Sequence, residues 1–124
     1  MRARSRGTAL AQVRRACLAL AETSERKSHG APTFFIGGKR AFVMYHDNHH
    51  EDGRLALWCA ADPEIQRMLV GGSPKHYFVP PYVGHRGWIG VRLDRGLAWA
   101  DIQAAIEDAY LTGAPRRLIE TRPR

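Results

Sequence analysis

Apolar residues near the start of the chain recur at spacings of three, four and three, which is one stripe of a helix: Leu10, Val13, Cys17 and Leu20. Thr8 stands just before the stripe and is a residue type that caps helix N-termini. The pattern therefore predicts a helix over residues 9–21. The polar residues 22–30 predict an irregular segment with a short edge strand at 24–28.

Two runs rich in aromatic and β-branched residues, 33–36 and 40–46, are separated by Gly37-Gly38. Two adjacent glycines supply the backbone freedom that a tight hairpin turn requires. The runs therefore predict an antiparallel hairpin. A polar loop then ends at Asp-Gly, and the alternating residues 54–59 predict a third strand.

Asp62-Pro63 predicts the start of a short helix, because Asp accepts free amide hydrogens and Pro suits the first turn. Gly71 is expected to end it. Its apolar residues are expected to face the core: Ile65, Met68 and Leu69.

Residues 75–79 and 87–93 predict two further strands, joined by a connection containing Pro80-Pro81 that cannot be a central strand. The last helix carries one apolar stripe and stops near Gly113 and Pro115. The stripe consists of Trp99, Ile102, Ile106, Ala109 and Tyr110. This order of elements predicts an α+β fold, with an antiparallel sheet of about five to six strands and the helices packed on one face.

Alternation along two strands assigns their side chains to opposite faces of this sheet. The uniformly apolar set is expected to point at the helices: Leu55, Leu57, Cys59, Ile89, Val91 and Leu93. Trp58, Trp88 and Arg92 are then expected on the other face.

The 124 residues are enough for one domain, predicted at 8–118 between basic tails at 1–7 and 119–124. The net charge of +7 comes mainly from tail arginines, and residues 8–115 carry a net charge of only +1. No apolar run is long enough to span a membrane, so a cytoplasmic protein without membrane contact is expected. Cys17 and Cys59 lie in apolar patterns and are expected to be reduced and buried.

Several segments together resemble the MmcQ/YjbR family over about residues 8–118. They are the run 17–23, the hairpin 34–42, Asp62-Pro63, the strand 88–94 and a last helix ending near Ala109-Tyr110. The resemblance implies a CyaY-like, double-wing α+β fold and suggests DNA binding. Gly87 stands before Trp88 where members of that family often carry His, and the loop 46–53 is longer and richer in histidine than expected.

Two groups of residues are the candidates for contact with nucleic acid. Lys39 and Arg40 at the hairpin tip, with Arg116 and Arg117 near the C-terminus, are placed to contact phosphates. Trp58 and Trp88 beside Arg92 would form a platform on which bases stack. The alternatives are that Lys39 and Arg40 are ordinary solvated turn residues, and that the residues 80–86 or a partner subunit cover the tryptophans.

A ligand pocket is the alternative site, and its candidate lining residues cluster around the Pro80-Pro81 connection: His76, Tyr82, His85, Arg86 and Trp88. His46, His49 and His50 are weaker candidates for a metal site, because a polar loop without metal is the simpler interpretation. No cofactor is expected. The sequence also contains no nucleophile, base and orienting residue in a recognisable arrangement, so nothing indicates catalysis.

These observations favour a non-enzymatic DNA-binding protein, a monomer or a homodimer, that contacts phosphates without sequence preference. The alternative is a small-molecule-binding or accessory protein with a Trp/Tyr/His-lined pocket, which could respond to metal.

Overall fold

The computed structural model describes residues 6–120, which contain six strands and four helices. In chain order they are α1 (Arg6–Leu18), β1 (Thr23–Ser28), β2 (Ala31–Ile36), β3 (Arg40–Asp47), β4 (Leu55–Cys59), α2 (Pro63–Gly72), β5 (Tyr77–Phe78), β6 (Ile89–Arg92), α3 (Trp99–Gly113) and α4 (Arg116–Glu120). Short 3₁₀ turns lie at His49–Glu51 and Gly84–Arg86. Within this part of the chain, no helix has the length and apolar character needed to cross a bilayer.

The strands form one sheet in the order β1-β2-β3-β4-β6-β5, and every neighbouring pair is antiparallel. Consecutive strands are neighbours from β1 to β4, because short connections suffice between antiparallel strands. The chain then leaves through α2 and returns to place β6 beside β4. This arrangement confirms the predicted α+β fold.

The predicted hairpin is formed by β2 and β3, and its turn depends on two glycines. Gly37 and Gly38 have φ angles of 62° and 71°, a left-handed backbone that glycine adopts without steric cost. Just beyond the turn the register shifts, leaving Phe42 as an extra residue opposite β2. The Phe42 ring meets the ring of Tyr110 edge-on, with centroids 5.8 Å apart, so this bulge packs the hairpin against α3.

The register of the central strands confirms the predicted division into two faces. Leu57 lies opposite Val91 and Cys59 opposite Ile89, so these apolar side chains share one face of the sheet. All four are at most 2% exposed. Trp58, opposite Gly90, belongs to the other face. Both cysteines are free and buried, as expected from their apolar surroundings.

The first helix lies three residues earlier than predicted, at Arg6–Leu18, and Thr8 is inside it. Its end has a local cause, because the Thr23 hydroxyl contacts the carbonyl oxygens of both Cys17 and Leu20 at 2.8 Å. The single hydroxyl proton is shared between two carbonyl oxygens that lack a helical partner at the end of α1. The predicted core stripe is correct, and both Val13 and Cys17 are fully buried.

The predicted start of α2 is confirmed, since the Asp62 carboxylate accepts a hydrogen bond from the Glu64 amide at 2.8 Å. The predicted core face of this helix is wrong, because Ile65 is 40% exposed and Met68 is 60% exposed. The Gln66 side chain turns inward instead, and its amide donates to two backbone carbonyl oxygens, of Gly84 at 2.8 Å and Trp88 at 2.7 Å. Of the three residues expected in the core, only Leu69 packs against it.

The short helix α4 was not predicted, although Pro115 before it suits a helix start. Leu118 anchors it and is 5% exposed. The predicted tails are described only in part, since residues 1–5 and 121–124, with Arg2, Arg4, Arg122 and Arg124, lie outside the described residues. Glu120 ends α4, so the described residues of the C-terminal tail are helical.

Candidate nucleic-acid interface

The turn between β2 and β3 presents two cations at one end of the sheet. Lys39 and Arg40 directly follow the two turn glycines, and both side chains are exposed. The Lys39 amide donates to the carbonyl oxygen of Ile36 at 3.2 Å, which fixes the turn. The hairpin therefore holds the backbone of these two cations in place.

Other parts of the chain bring further charge to the same end. The Gly37 amide donates to the carbonyl oxygen of Glu22 at 2.8 Å, and Arg26 donates to the carbonyl oxygen of Gly38 at 2.9 Å. Arg117 of α4 forms two hydrogen bonds with the Glu22 carboxylate, at 2.6 and 2.8 Å. The hydrogen bond from Arg117 also lowers the pKa of Glu22.

Arg86, in the connection between β5 and β6, adds another cation at this end of the sheet. Together with Lys39 and Arg40 it lines a groove of about 450 Å³, whose other walls are Ala41 and Trp88. The Arg86 guanidinium lies 5.4 Å from the centre of the Trp88 ring, within the range of a cation–π contact. We call the five cations at this end the hairpin-end surface: Arg26, Lys39, Arg40, Arg86 and Arg117.

Three of these cations have no carboxylate partner in the part of the chain that the structure describes. Within residues 6–120, Lys39, Arg40 and Arg86 form no ion pair with a carboxylate. The carboxylate that does contact the hairpin-end surface, that of Glu22, is held by Arg117. A body of nearly neutral net charge thus concentrates positive potential at one end of its sheet, the arrangement expected of an anion-binding surface.

The predicted tryptophan platform is wrong. Trp58 is 3% exposed and Trp88 is 4% exposed, so neither ring has a face open for stacking. The ring of His46 covers Trp58 with centroids 3.7 Å apart, and that of His49 meets it edge-on at 4.8 Å. Alternation along β4 correctly placed Trp58 on the second face, but it carried no information about His46 of β3 and His49 of the following turn, which cover that face.

Arg92, the third predicted member of the platform, forms an ion pair with Asp94. Its guanidinium donates to both carboxylate oxygens of Asp94, at 3.0 and 3.1 Å, and the side chain is only 14% exposed. Arg116 is exposed and lies 3.2 Å from Glu120 on the same helix. Of the predicted phosphate contacts, Lys39 and Arg40 are therefore exposed and form no ion pair among residues 6–120, while Arg117 reaches the same surface through its partner Glu22.

The residues of the alternative pocket do not share one cavity. His76 contacts Ser73 and the carbonyl oxygen of Arg95, whereas Tyr82 is 69% exposed and lies near His49 and His50. His85 is exposed on the 3₁₀ turn that also carries Arg86. Arg86 and Trp88 do line a common site, the groove beside Lys39 and Arg40.

His46 near the end of β3 packs against His49 of the following turn, with ring centroids 4.8 Å apart, and His49 packs against His50 at 4.2 Å. Among residues 6–120 there is nevertheless no group of three or more potential ligands arranged to hold a metal ion. Burial lowers the pKa of His46 to about 4, and the charge of His49 adds to this effect. His46 is therefore a neutral packing residue at pH 7.

Two members of the hairpin-end surface were not assigned to it from the sequence. Arg26 was not a candidate, and Arg86 was a candidate only for the alternative pocket. Arg26 sits on a short edge strand whose partner was not specified. Its Cζ atom lies 3.6 Å from the centre of the Phe35 ring, so only the pairing of β1 with β2 reveals its position. Arg86 reaches the groove from a loop, and no local pattern predicts that approach.

Comparison with known proteins places the chain in a family and agrees with the fold. The family model described as YjbR matches residues 18–112, well over half of the chain. A solved structure of the Deinococcus radiodurans protein DR2400, which carries the domain DUF419, has a TM-score of 0.73 and 19% sequence identity, covering 90% of this chain and 85% of that one. No curated protein matches the sequence. By the family match, this chain is a member of the YjbR family.

Proposed function

We propose that this protein is a non-enzymatic, cytoplasmic DNA-binding protein, and that the hairpin-end surface contacts the phosphate backbone. The observation that carries the proposal is the convergence of Lys39, Arg40 and Arg86 on one groove without any carboxylate partner among residues 6–120. Exposed cations of this kind bind phosphates through charge and counterion release, which requires no particular base sequence.

The expected binding mode is weak and strongly dependent on salt. If the three groove cations each neutralise one phosphate, log K should fall against log salt with a slope of about −3. Arg26 and Arg117 supply additional positive potential, although part of the charge of Arg117 is used by Glu22. Base stacking is not part of the proposal, because the buried tryptophans offer no stacking surface.

Fluorescence anisotropy with a labelled DNA oligonucleotide, measured over a series of salt concentrations, tests this function. Lys39→Ala, Arg40→Ala and Arg86→Ala should each weaken binding and reduce the salt slope by about one. Lys75→Ala is the matched control, because Lys75 is exposed just before β5, at the opposite end of the sheet from the turn. Equal effects of Lys75→Ala and Arg40→Ala, or no binding by the intact chain at about 50 mM salt, would refute the proposal.

A small anionic ligand is the second candidate, favoured by the size of the groove. Its volume of about 450 Å³ lies within the range of ligand pockets, which is roughly 300 to 1,000 Å³. Pyrophosphate is a suitable probe because it presents two phosphates without a base. A thermal shift with pyrophosphate that Arg86→Ala abolishes, in a protein that does not bind DNA, would support this candidate over the first.

A further inference from the structure

The connection between β5 and β6 presents an aromatic ring to solvent, that of Tyr82. Its side chain is 69% exposed, the highest value among the large apolar residues at the surface of residues 6–120. Single exposed apolar side chains are common on proteins, so exposure by itself assigns no role. The backbone that carries this ring is the more informative feature.

The backbone at Tyr82 has a conformation that bulky residues rarely adopt. Its φ angle is 66°, and the Val83 amide donates to the carbonyl oxygen of Pro81 at 2.7 Å. This hydrogen bond closes a three-residue turn with Tyr82 at its centre, a rare turn that is strained when the central φ is positive. Glycine would adopt the same turn without steric cost. A large exposed ring at a strained position indicates a functional role for that ring.

The segments on both sides of Tyr82 hold the turn in place. Pro80 is buried, and Val83 is only 8% exposed. The Gly84 amide donates to the carbonyl oxygen of Pro80 at 3.0 Å, and the Gln66 side chain of α2 donates to the carbonyl oxygen of Gly84. The ring is therefore displayed on a preorganised turn, which loses little conformational entropy when a ligand contacts it.

Tyr82 lies close to the groove cation Arg86 and on the same side of the sheet as Trp58. Its ring meets that of His49 edge-on at 6.0 Å, and His49 in turn packs on Trp58. Four residues separate Tyr82 from Arg86, which limits their Cα atoms to about 14 Å, and the 3₁₀ turn between them shortens this span. A DNA strand with a phosphate at Arg86 can therefore place a nearby base over Tyr82.

We infer that Tyr82 is a base-contacting residue, whose ring stacks on an unpaired base of DNA that the hairpin-end surface holds by its phosphates. The inference rests on the proposed function, which supplies the phosphate contacts and contains no base contact. Every base has a π face, so this stacking adds affinity without sequence preference. The contact uses the ring and not the hydroxyl, which lies 3.4 Å from Nε2 of His50.

Fluorescence anisotropy with two labelled strands of equal length tests the inference: a thymidine strand, and a strand of abasic sugars with the same phosphates. The intact protein should bind the thymidine strand at least about fivefold more tightly, the effect of one stacked base. Tyr82→Asn should remove this preference, because it deletes the ring, and asparagine tolerates a positive φ. Its affinity for the abasic strand and its salt slope should stay unchanged, since no charge is lost.

Three further variants serve as controls for this measurement. Tyr82→Phe should keep the preference, because it retains the ring. Met68→Gln should keep it too, since Met68 is 60% exposed but lies on α2. Arg86→Ala should instead weaken binding of both strands and reduce the salt slope by about one.

The outcomes separate this inference from the proposed function. Equal binding of the two strands by the intact protein, or a preference that persists in Tyr82→Asn, would overturn the inference and leave the proposed function standing. Weaker binding of the abasic strand by Tyr82→Asn would mean a structural role for Tyr82 and would also overturn it. An absence of binding to either strand would overturn both. Should Tyr82→Asn prove unfolded by circular dichroism, Tyr82→Gly removes the ring with a residue that adopts this backbone freely, and it gives the same test.

Discussion

The guanidinium of Arg92 donates two hydrogen bonds to the carboxylate of Asp94, and the same carboxylate accepts a hydrogen bond from the Leu55 amide at 3.2 Å. The pair therefore ties the end of β6 to the start of β4, at the opposite end of the sheet from the hairpin turn. Burial by itself raises the pKa of Asp94, but the hydrogen bonds and the charges of Arg92 and Arg95 outweigh it and hold that pKa below its ordinary value.

Arg92→Ala should destabilise the protein by about 1 to 3 kcal/mol, because it leaves a partly buried carboxylate without its main donor. DNA affinity should change by less than about twofold, since Arg92 contributes no free phosphate contact. Urea unfolding measures the first effect and anisotropy the second. Arg95→Ala is the control, because Arg95 is 46% exposed and lies 3.8 Å from Asp94, a pair worth less than about 1 kcal/mol. A large loss of DNA affinity in Arg92→Ala would contradict this assignment.

His46 should make the protein less stable in acid. The unfolded chain takes up a proton on this histidine near pH 6.5, whereas the folded chain does so only at about 4. The stability that depends on neutral His46 is therefore complete above about pH 6.5 and is lost as the pH falls towards 4, by about 3 kcal/mol in total. Urea unfolding at several pH values should show this slope, and His46→Gln should flatten it. His85→Gln is the control, because His85 is exposed. If the pH dependence of stability in His46→Gln equals that of the unchanged protein, the prediction is wrong.

Gly87 should tolerate no side chain. Its φ angle is 93°, and a Cβ atom there would lie 2.7 Å from the Cδ atom of Pro63, at the start of α2. Gly87→Ala should therefore lower stability by more than Gly96→Ala, since Gly96 has a similar φ of 76° but open space around it. We expect about 1 kcal/mol for Gly96→Ala and at least about 2 kcal/mol for Gly87→Ala, measured as midpoint shifts in urea. Equal losses would mean that the contact with Pro63 is unimportant.

This crowding also gives a physical reason for a departure from the family pattern. Members often carry His before the tryptophan, but here the positive φ and the adjacent Pro63 ring leave space only for glycine at position 87. The requirement depends on the packing of α2 against the connection to β6, which a single sequence does not reveal.

A residue on the exposed face of α2 should tolerate a polar substitution. Met68 is 60% exposed, so Met68→Gln should change stability by less than about 0.5 kcal/mol. Leu69→Ala should cost more, since Leu69 packs against the core. Thermal or urea unfolding of the two variants decides between this assignment and the one that the apolar pattern predicted. A loss of 2 kcal/mol or more, roughly that of a buried methionine, in Met68→Gln would contradict the structure.

Turns and helix starts that depend on adjacent residues could be predicted from the sequence. Gly37-Gly38 and Asp62-Pro63 fix a turn and a helix start through backbone chemistry alone, and both are present. Alternation along β4 also identified which residues face the helices. These predictions succeed because they depend on neighbours in sequence and not on distant parts of the chain.

The site was predictable only in part, because its members meet through space. Lys39 and Arg40 were identified from the turn, but Arg26 and Arg86 join them through strand pairing and a loop that no pattern specifies. The ion pair of Arg92 with Asp94 had a local indication, since opposite charges two residues apart in sequence are within reach of each other. The packing of His46 on Trp58 follows from the pairing of β3 with β4, which places both side chains on one face. The approach of His49 had no indication, because alternation does not show how a loop folds over a face.

Amide chemical shifts during a titration with a short DNA oligonucleotide test the central claim most directly, because they report where the DNA binds without any substitution. Gly37 and Gly38 lie at the hairpin-end surface and Gly113 lies beside the Arg40 side chain, whereas Gly53 and Gly96 lie at the opposite end of the sheet. We predict shifts that saturate together at the first three glycines, while the amides of Gly53 and Gly96 stay unmoved. Shifts centred on Gly53 and Gly96, or none at any of the five, would contradict the account.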